Sequence, residues 1–185
     1  MSKLAATPGH TIGPFFGYAL PFADGDNLVP QNHPAAIRLS GTVRDGHGDP
    51  VVDALLEIWQ ADDNGRIVQV TGSLHRDGHT FTGWGRAATD NTGRYSFTTV
   101  EPGTTEGGHA PFIAMTVFAR GLLNRLFTRV YLPGNDEALD SDPLLASVPS
   151  ERRSTLIATR DGAGLVFDVV LQGEDETIFL TYPGH

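Results

Sequence analysis

Short alternating segments set off by tight turns leave this chain little choice of architecture. Tyr95-Ser96-Phe97-Thr98-Thr99-Val100 alternates apolar and polar residues directly after the turn Asp90-Asn91-Thr92-Gly93. In a strand, successive side chains point to opposite faces, so this run predicts a strand with one buried face. Residues 37–43 alternate in the same way before the turn-forming Arg44-Asp45-Gly46-His47-Gly48-Asp49-Pro50. Residues 54–61 (ALLEIWQA) read as a further strand, ended by Asp62-Asp63-Asn64-Gly65. Residues 112–119, 127–132, 165–171 and 177–180 bring the expectation to about seven strands. Many short strands at regular spacing predict an all-β chain, an antiparallel β-sandwich.

Helix is expected only within residues 142–156. Pro143 suits a first helical position after Asp142, Ser150 offers a second start, and Pro149 splits the stretch into two short pieces. Residues 1–36 carry Pro8, Pro14, Pro21, Pro30 and Pro34 with little periodicity. They read as an extended arm that needs a surface to lie on. With no internal repeat and no linker, 185 residues read as one domain, 1–185.

Composition removes several function classes. Cysteine is absent, which excludes disulfides and thiolate metal sites. No apolar run approaches a membrane span, and no basic segment followed by an apolar stretch opens the chain, so a cytoplasmic location is expected. A formal net charge of −9 repels phosphate, and the longest basic feature is Arg152-Arg153, so nucleic acid is not an expected partner. The same field opposes an anionic substrate at long range. Any such substrate needs a local cation.

Local motifs taken alone add little. The two Asx-Gly turns are oxygen-rich, but turns of this composition are common and read as plain turns. His75 and His79 would share a helix face able to bind zinc, yet Gly72, Gly78 and Gly83 around them predict loop instead. There is no Gly-x-Ser-x-Gly elbow and no glycine-rich phosphate cradle after a strand.

Longer stretches carry more. Residues 41–45, 50–54 and 57–65 (EIWQADDNG), followed by 89–97 (TDNTGRYSF) and 100–103 (VEPG), resemble the core signature of the intradiol ring-cleaving dioxygenases. Residues 7–15 (TPGHTIGPF) and 171–179 (LQGEDETIF) resemble the alpha chain of the two-chain members of that family, so the similarity spans residues 7–180. A homodimeric catechol-cleaving relative and a stand-alone binding sandwich of transthyretin-like or carboxypeptidase-regulatory-like type are the alternatives. The latter shares residues 41–54 but gives no account of either end of the match.

The resemblance implies a specific loss. The family's iron centre uses two tyrosinates and two histidines, a hard anionic set suited to Fe(III). Carried over by position, the tyrosines fall at Ile67 and Thr105, and the histidines at Phe112 and Ala114. The arginine that faces the substrate ring falls at His109. Ile, Phe and Ala offer no donor atom to a metal. These could be ordinary core residues of a sandwich that never had a site; a duplicated scaffold filled with apolar side chains explains their positions as well.

The resemblance therefore implies a chain with no metal ligands and no catalytic residue of its own. It would pair with a beta chain holding Fe(III) in an alpha-beta hetero-oligomer that cleaves 3,4-dihydroxybenzoate with O2. It further implies that Thr11, Gly13, Pro14 and Phe15 of the arm, which packs on the partner chain, wall the substrate pocket. Arg129 would lie near the substrate carboxylate, where a guanidinium can supply the missing local cation. The competing reading of Arg129 is a solvated arginine on the polar side of a strand.

Overall fold

The computed structural model describes residues 13, 15–69, 74, 76–105 and 109–182. Two sheets face each other. The first is built from β1 (Ile37–Arg44), β4 (Arg94–Thr99), β7 (Thr159–Asp161), β8 (Gly164–Val166) and β9 (Val169–Val170). Its order is β4-β1-β8-β7, with β9 also on β1. The second contains β2 (Leu55–Gln60), β3 (Trp84–Ala88), β5 (Phe112–Phe118) and β6 (Leu126–Tyr131) in the order β3-β2-β5-β6, all antiparallel. The expected sandwich is present. One departure is that β8 and β9 run parallel to β1.

The alternation places the core. Leu39, Val43 and Phe97 from the first sheet pack with Leu56, Ile58, Ile113 and Val117 from the second, all at or near full burial. Each such side chain contributes on the order of 1.5–3 kcal/mol of hydrophobic stabilisation. Buried Gln60 ties the layers together. Its amide donates to Val100 O at 2.8 Å and accepts from Thr99 Oγ1 at 2.8 Å.

The stretch 165–171 departs from a continuous strand. Its register on β1 is the same on both sides of Phe167-Asp168, with Leu39 opposite Leu165 and Val43 opposite Val169. Between them the Asp168 carboxylate takes the Thr42 N–H at 2.7 Å, and the Phe167 carbonyl accepts from Tyr95 Oη at 2.6 Å. A Cβ on Gly41 would stand 1.9 Å from that carbonyl oxygen, so only glycine admits the approach. Burial raises the Tyr95 pKa, which keeps the phenol a donor.

Residues 177–180 form no strand. They are held by Leu180 N–H to Phe127 O at 2.7 Å, one isolated bridge, and by Thr177 bonds to Val170. Two strands, β3 and β7, were not expected.

The helical region begins earlier than its prolines indicate. α2 (Asp136–Ser141) is capped by Asn135, whose side chain accepts from Ala138 N–H. α3 (Pro143–Ser147) starts as expected, with the Asp142 carboxylate accepting from Leu144 and Leu145 N–H. Ser150–Leu156 is a 3-10 turn. These pieces bury Leu139, Leu145 and Leu156 against Tyr131, and so cover one end of the outer face of the second sheet.

The arm supplies α1 (Phe16–Ala19) and then lies on its own chain. Leu28 enters the core, Leu28 N–H donates to Thr98 O, and Phe22 stacks on Trp84 at 5.8 Å. Arg76 reinforces this by donating to Trp84 O at 2.7 Å and to Thr82 Oγ1 at 2.8 Å. From Phe22 onward, the surface that the arm lies on is its own chain: β3 of the second sheet through Trp84 and Arg86, and the edge of β4 in the first sheet through Thr98.

Candidate functional site

The site is the outer face of the second sheet, on the side of β5 that carries Phe112 and Ala114. Along β5, Ile113, Met115 and Val117 are buried, while Phe112, Ala114, Thr116 and Phe118 are half-buried on the opposite side. Cross-strand partners share a face. Trp84, Trp59, Ala114 and Arg129 therefore form one row across all four strands, and Arg86, Glu57, Thr116 and Phe127 the next. Arg86 closes on Glu57 at 2.5 Å and anchors the arm through Leu20 O at 2.6 Å.

Phe112 fills its position from one side. The Arg129 guanidinium carbon lies 4.0 Å from the Phe112 ring centroid, and the Tyr131 and His109 rings lie 5.8 and 6.2 Å away. Arg129 is thus no solvated strand arginine; it is half-buried on an aromatic face. Its Nη1 donates to Tyr131 Oη at 3.1 Å, and Tyr131 Oη donates to Asp142 Oδ1 at 2.9 Å.

Asp142 is the hub beneath. Fully buried, it also receives Ala110 N–H at 3.0 Å and lies 3.1 Å from His109 Nδ1. Burial alone would push its pKa up. The hydrogen bonds from Leu145, Tyr131, His109 and Ala110 outweigh that and hold it below the usual carboxylate value. Burial pushes the Tyr131 phenol up to about 12, so it stays protonated at neutral pH. His109, matched by resemblance to a ring-facing arginine, is bound into this network from its edge.

Ile67 and Thr105, the other two positions that the resemblance matches to iron ligands, lie on neighbouring loops. Gly103 N–H donates to Asp62 O at 2.8 Å, and a Cβ on Gly65 would meet Thr104 O at 2.0 Å. The loop bearing Ile67 is thereby held against the loop bearing Thr105. Ile67 does not fill a cavity: it is 61% exposed, which corrects the picture of a site packed shut by all its apolar replacements. Ile67 is no core residue on the same observation, whereas half-buried Phe112 packs against the second apolar cluster, that of Tyr131, Leu139, Leu145 and Leu156.

Of the arm residues, Gly13 is half-buried with φ +79, and Phe15 is 72% exposed. Thr11 and Pro14 lie outside the described residues. Among the described residues, none of Arg129's hydrogen bonds or ring contacts involves Gly13 or Phe15. His79 is in a loop with its N–H on Asp77 Oδ1, as expected, while His75 lies outside the described residues. The Asp62 and Asp90 turns are plain Asx turns, each carboxylate accepting from backbone N–H groups two and four residues on.

Sequence reasoning missed Tyr131 and half of the role of Asp142. The signal available was an N-cap aspartate; its second oxygen, serving Ala110 and His109, leaves no local pattern.

Comparison with known proteins fixes the family. A family model described as Dioxygenase matches residues 12–173. This chain belongs to the intradiol dioxygenases. It is 38% identical to the protocatechuate 3,4-dioxygenase alpha chain of Burkholderia cepacia, over 97% of this chain and 98% of that one. It is 35% identical to the beta chain of that enzyme from the same organism, over 82% and 71%. Among solved structures, it resembles the dioxygenase domain of a dioxygenase carbohydrate-binding protein fusion from Streptomyces sp. SirexAA-E. There the TM-score is 0.58 at 26% identity, covering 91% and 99% of the two chains.

The family is iron-dependent. The residues at the matching positions here do not fit that metal: Ile67, Phe112 and Ala114 carry no donor, and Thr105 only a neutral hydroxyl. Among the described residues, no group of three or more His, Cys, Asp or Glu is placed to hold a metal ion. No helix there is long and apolar enough to cross a membrane.

Proposed function

We propose that this chain is the non-iron-binding alpha subunit of a protocatechuate 3,4-dioxygenase. A beta chain holds Fe(III) and carries the ring-cleaving chemistry. The alpha-beta enzyme inserts both atoms of O2 into 3,4-dihydroxybenzoate and opens the ring between its hydroxyl-bearing carbons, giving 3-carboxy-cis,cis-muconate. The observation that carries this reading is the donor-free pair Phe112 and Ala114 on the outer face of β5, in a chain similar to alpha and beta chains alike. A stand-alone binding sandwich gives no account of a match that reaches both ends of the chain.

This chain's part is to shape the pocket and bind the substrate's carboxylate. Arg129 is a half-buried cation on that face, where Arg86 is taken up by Glu57, in a chain whose net charge of −9 otherwise repels anions. Among the described residues, it forms no ion pair, so the N–H groups not spent on Tyr131 can receive a carboxylate. Thr11, Gly13, Pro14 and Phe15 form the neighbouring wall of the pocket over the partner's iron. The assembly works in the cytoplasm. Exposed Phe15 (72%), Tyr18 (88%), Trp59 (47%) and Ile67 are the apolar surface that the partner covers.

The first test is a visible spectrum of the chain purified alone after exposure to ferric iron. A colourless, iron-free and inactive protein is expected, with activity appearing on co-expression with a beta-type chain. A tyrosinate-to-iron charge-transfer band from this chain alone overturns the proposal. In the assembled enzyme, Arg129→Ala should raise KM for protocatechuate more than it lowers kcat.

A further inference from the structure

Arg129 is held on two sides, by the Tyr131 hydroxyl and by the Phe112 ring, and this arrangement deepens the reading just proposed, on which it rests. We propose that Tyr131, fixed by Asp142, together with Phe112 positions the Arg129 guanidinium for the substrate carboxylate. They are positioning residues for a step that takes place on the partner's iron.

The direction of the hydrogen bonds makes Tyr131 suited to the task. Ionised Asp142 can only accept, so the hydroxyl 2.9 Å from its Oδ1 must spend its proton there. The lone pairs of Tyr131 Oη are then left for Arg129 Nη1, 3.1 Å away. Asp142 cannot swing aside, because its oxygens also hold the Leu144, Leu145 and Ala110 N–H groups at 2.9, 3.1 and 3.0 Å. Burial that keeps Tyr131 protonated preserves this polarity across the neutral range. Phe112 acts from the other side: its ring, 4.0 Å from the guanidinium carbon, sets the plane in which the fork can lie.

One N–H is thereby committed inward, and the guanidinium is kept from rotating. A fork fixed before binding loses less freedom when a planar carboxylate docks on its remaining donors. The position vacated by a metal ligand thus has a second use. An aromatic ring where a histidine stood becomes the platform for the carboxylate-binding arginine.

The test uses the assembled alpha-beta enzyme and two substrates, protocatechuate and carboxylate-free catechol. Tyr131→Phe removes the oxygen and keeps the ring; it should raise KM for protocatechuate roughly fivefold, the factor expected for one lost hydrogen bond. Its kcat should stay within about twofold, and KM for catechol should not move. Phe112→Leu should act in the same direction, and it decides the matter if Tyr131→Phe does not assemble. In an Arg129→Ala background, neither change should alter KM further.

Unchanged KM for protocatechuate in both single variants, with a raised KM in Arg129→Ala, overturns the positioning role and leaves Arg129 in the pocket. An equal rise for catechol also overturns it, since that signals a distorted pocket. No effect of Arg129→Ala itself overturns the function reading beneath.

Discussion

On one side of β5, Ile113, Met115 and Val117 are sealed into the interior, where any well-fitting apolar side chain would serve. On the other side, Phe112 and Ala114 sit beside an arginine, a tyrosine and a buried aspartate, in surroundings the packing of one sandwich does not require. Seven consecutive residues therefore answer to two constraints. The inner set is fixed by volume and would look alike in any sandwich of this shape. The outer set is fixed by what it touches, the Arg129 guanidinium and the Tyr131 and His109 rings, and so would differ between sandwiches of the same shape.

That contrast can be broken by mutation. The largest effect belongs to the inner face: Ile113→Ala should cost about 2–5 kcal/mol in urea unfolding. A cost below about 1 kcal/mol would show that the interior repacks freely and that the inner face is less constrained than its burial indicates. Next comes Asp142→Asn. The amide keeps the shape but sets an N–H₂ against Tyr131 or against backbone donors, and about 2 kcal/mol should be lost. If unfolding is unaffected, Asp142 is no hub.

Acid sharpens the same point. A carboxyl held below its ordinary value of 3.8 stabilises the fold above that pH, and the contribution fades as pH falls through the lowered pKa. The stability of the unmutated chain should therefore drop more steeply below pH 3.8 than that of Asp142→Asn, measured by unfolding at successive pH values. Parallel profiles would remove Asp142 from the acid response. The smallest effect belongs to the outer face: Ala114→Ser should change stability by less than about 0.5 kcal/mol. A large loss there would mean that the outer face is packed as tightly as the inner one.

Much of the fold was legible because alternation is strong where one face is sealed, as in β1, β2, β4 and β5. β3 escaped because Trp84-Gly85-Arg86-Ala87-Ala88 has small residues where a strand usually shows branched ones. A Cβ on Gly85 would stand 2.4 Å from Leu28 Cδ1 of the arm, so a larger residue there would displace Leu28. The strand was hidden by the contact that covers it. The helix α2 was readable in principle from Asn135 followed by Asp136 and Glu137, a cap with two acids in the first turn. Phe112 and Ala114 were singled out only by resemblance, since nothing in either residue type points to a site. Arg129 was singled out by resemblance, whereas its partner Tyr131 was not. A tyrosine on a strand carries no sign of which side chain 11 residues later will accept its hydrogen bond.

The pairing of Trp59 with Trp84 in the ladder has an optical consequence. They are the only two tryptophans in the sequence, and both lie on the outer face. The interior therefore contributes none of the chain's indole fluorescence. The emission maximum becomes a gauge of that face alone: red-shifted while Trp59 meets water, and moved to shorter wavelength when another protein surface dries it.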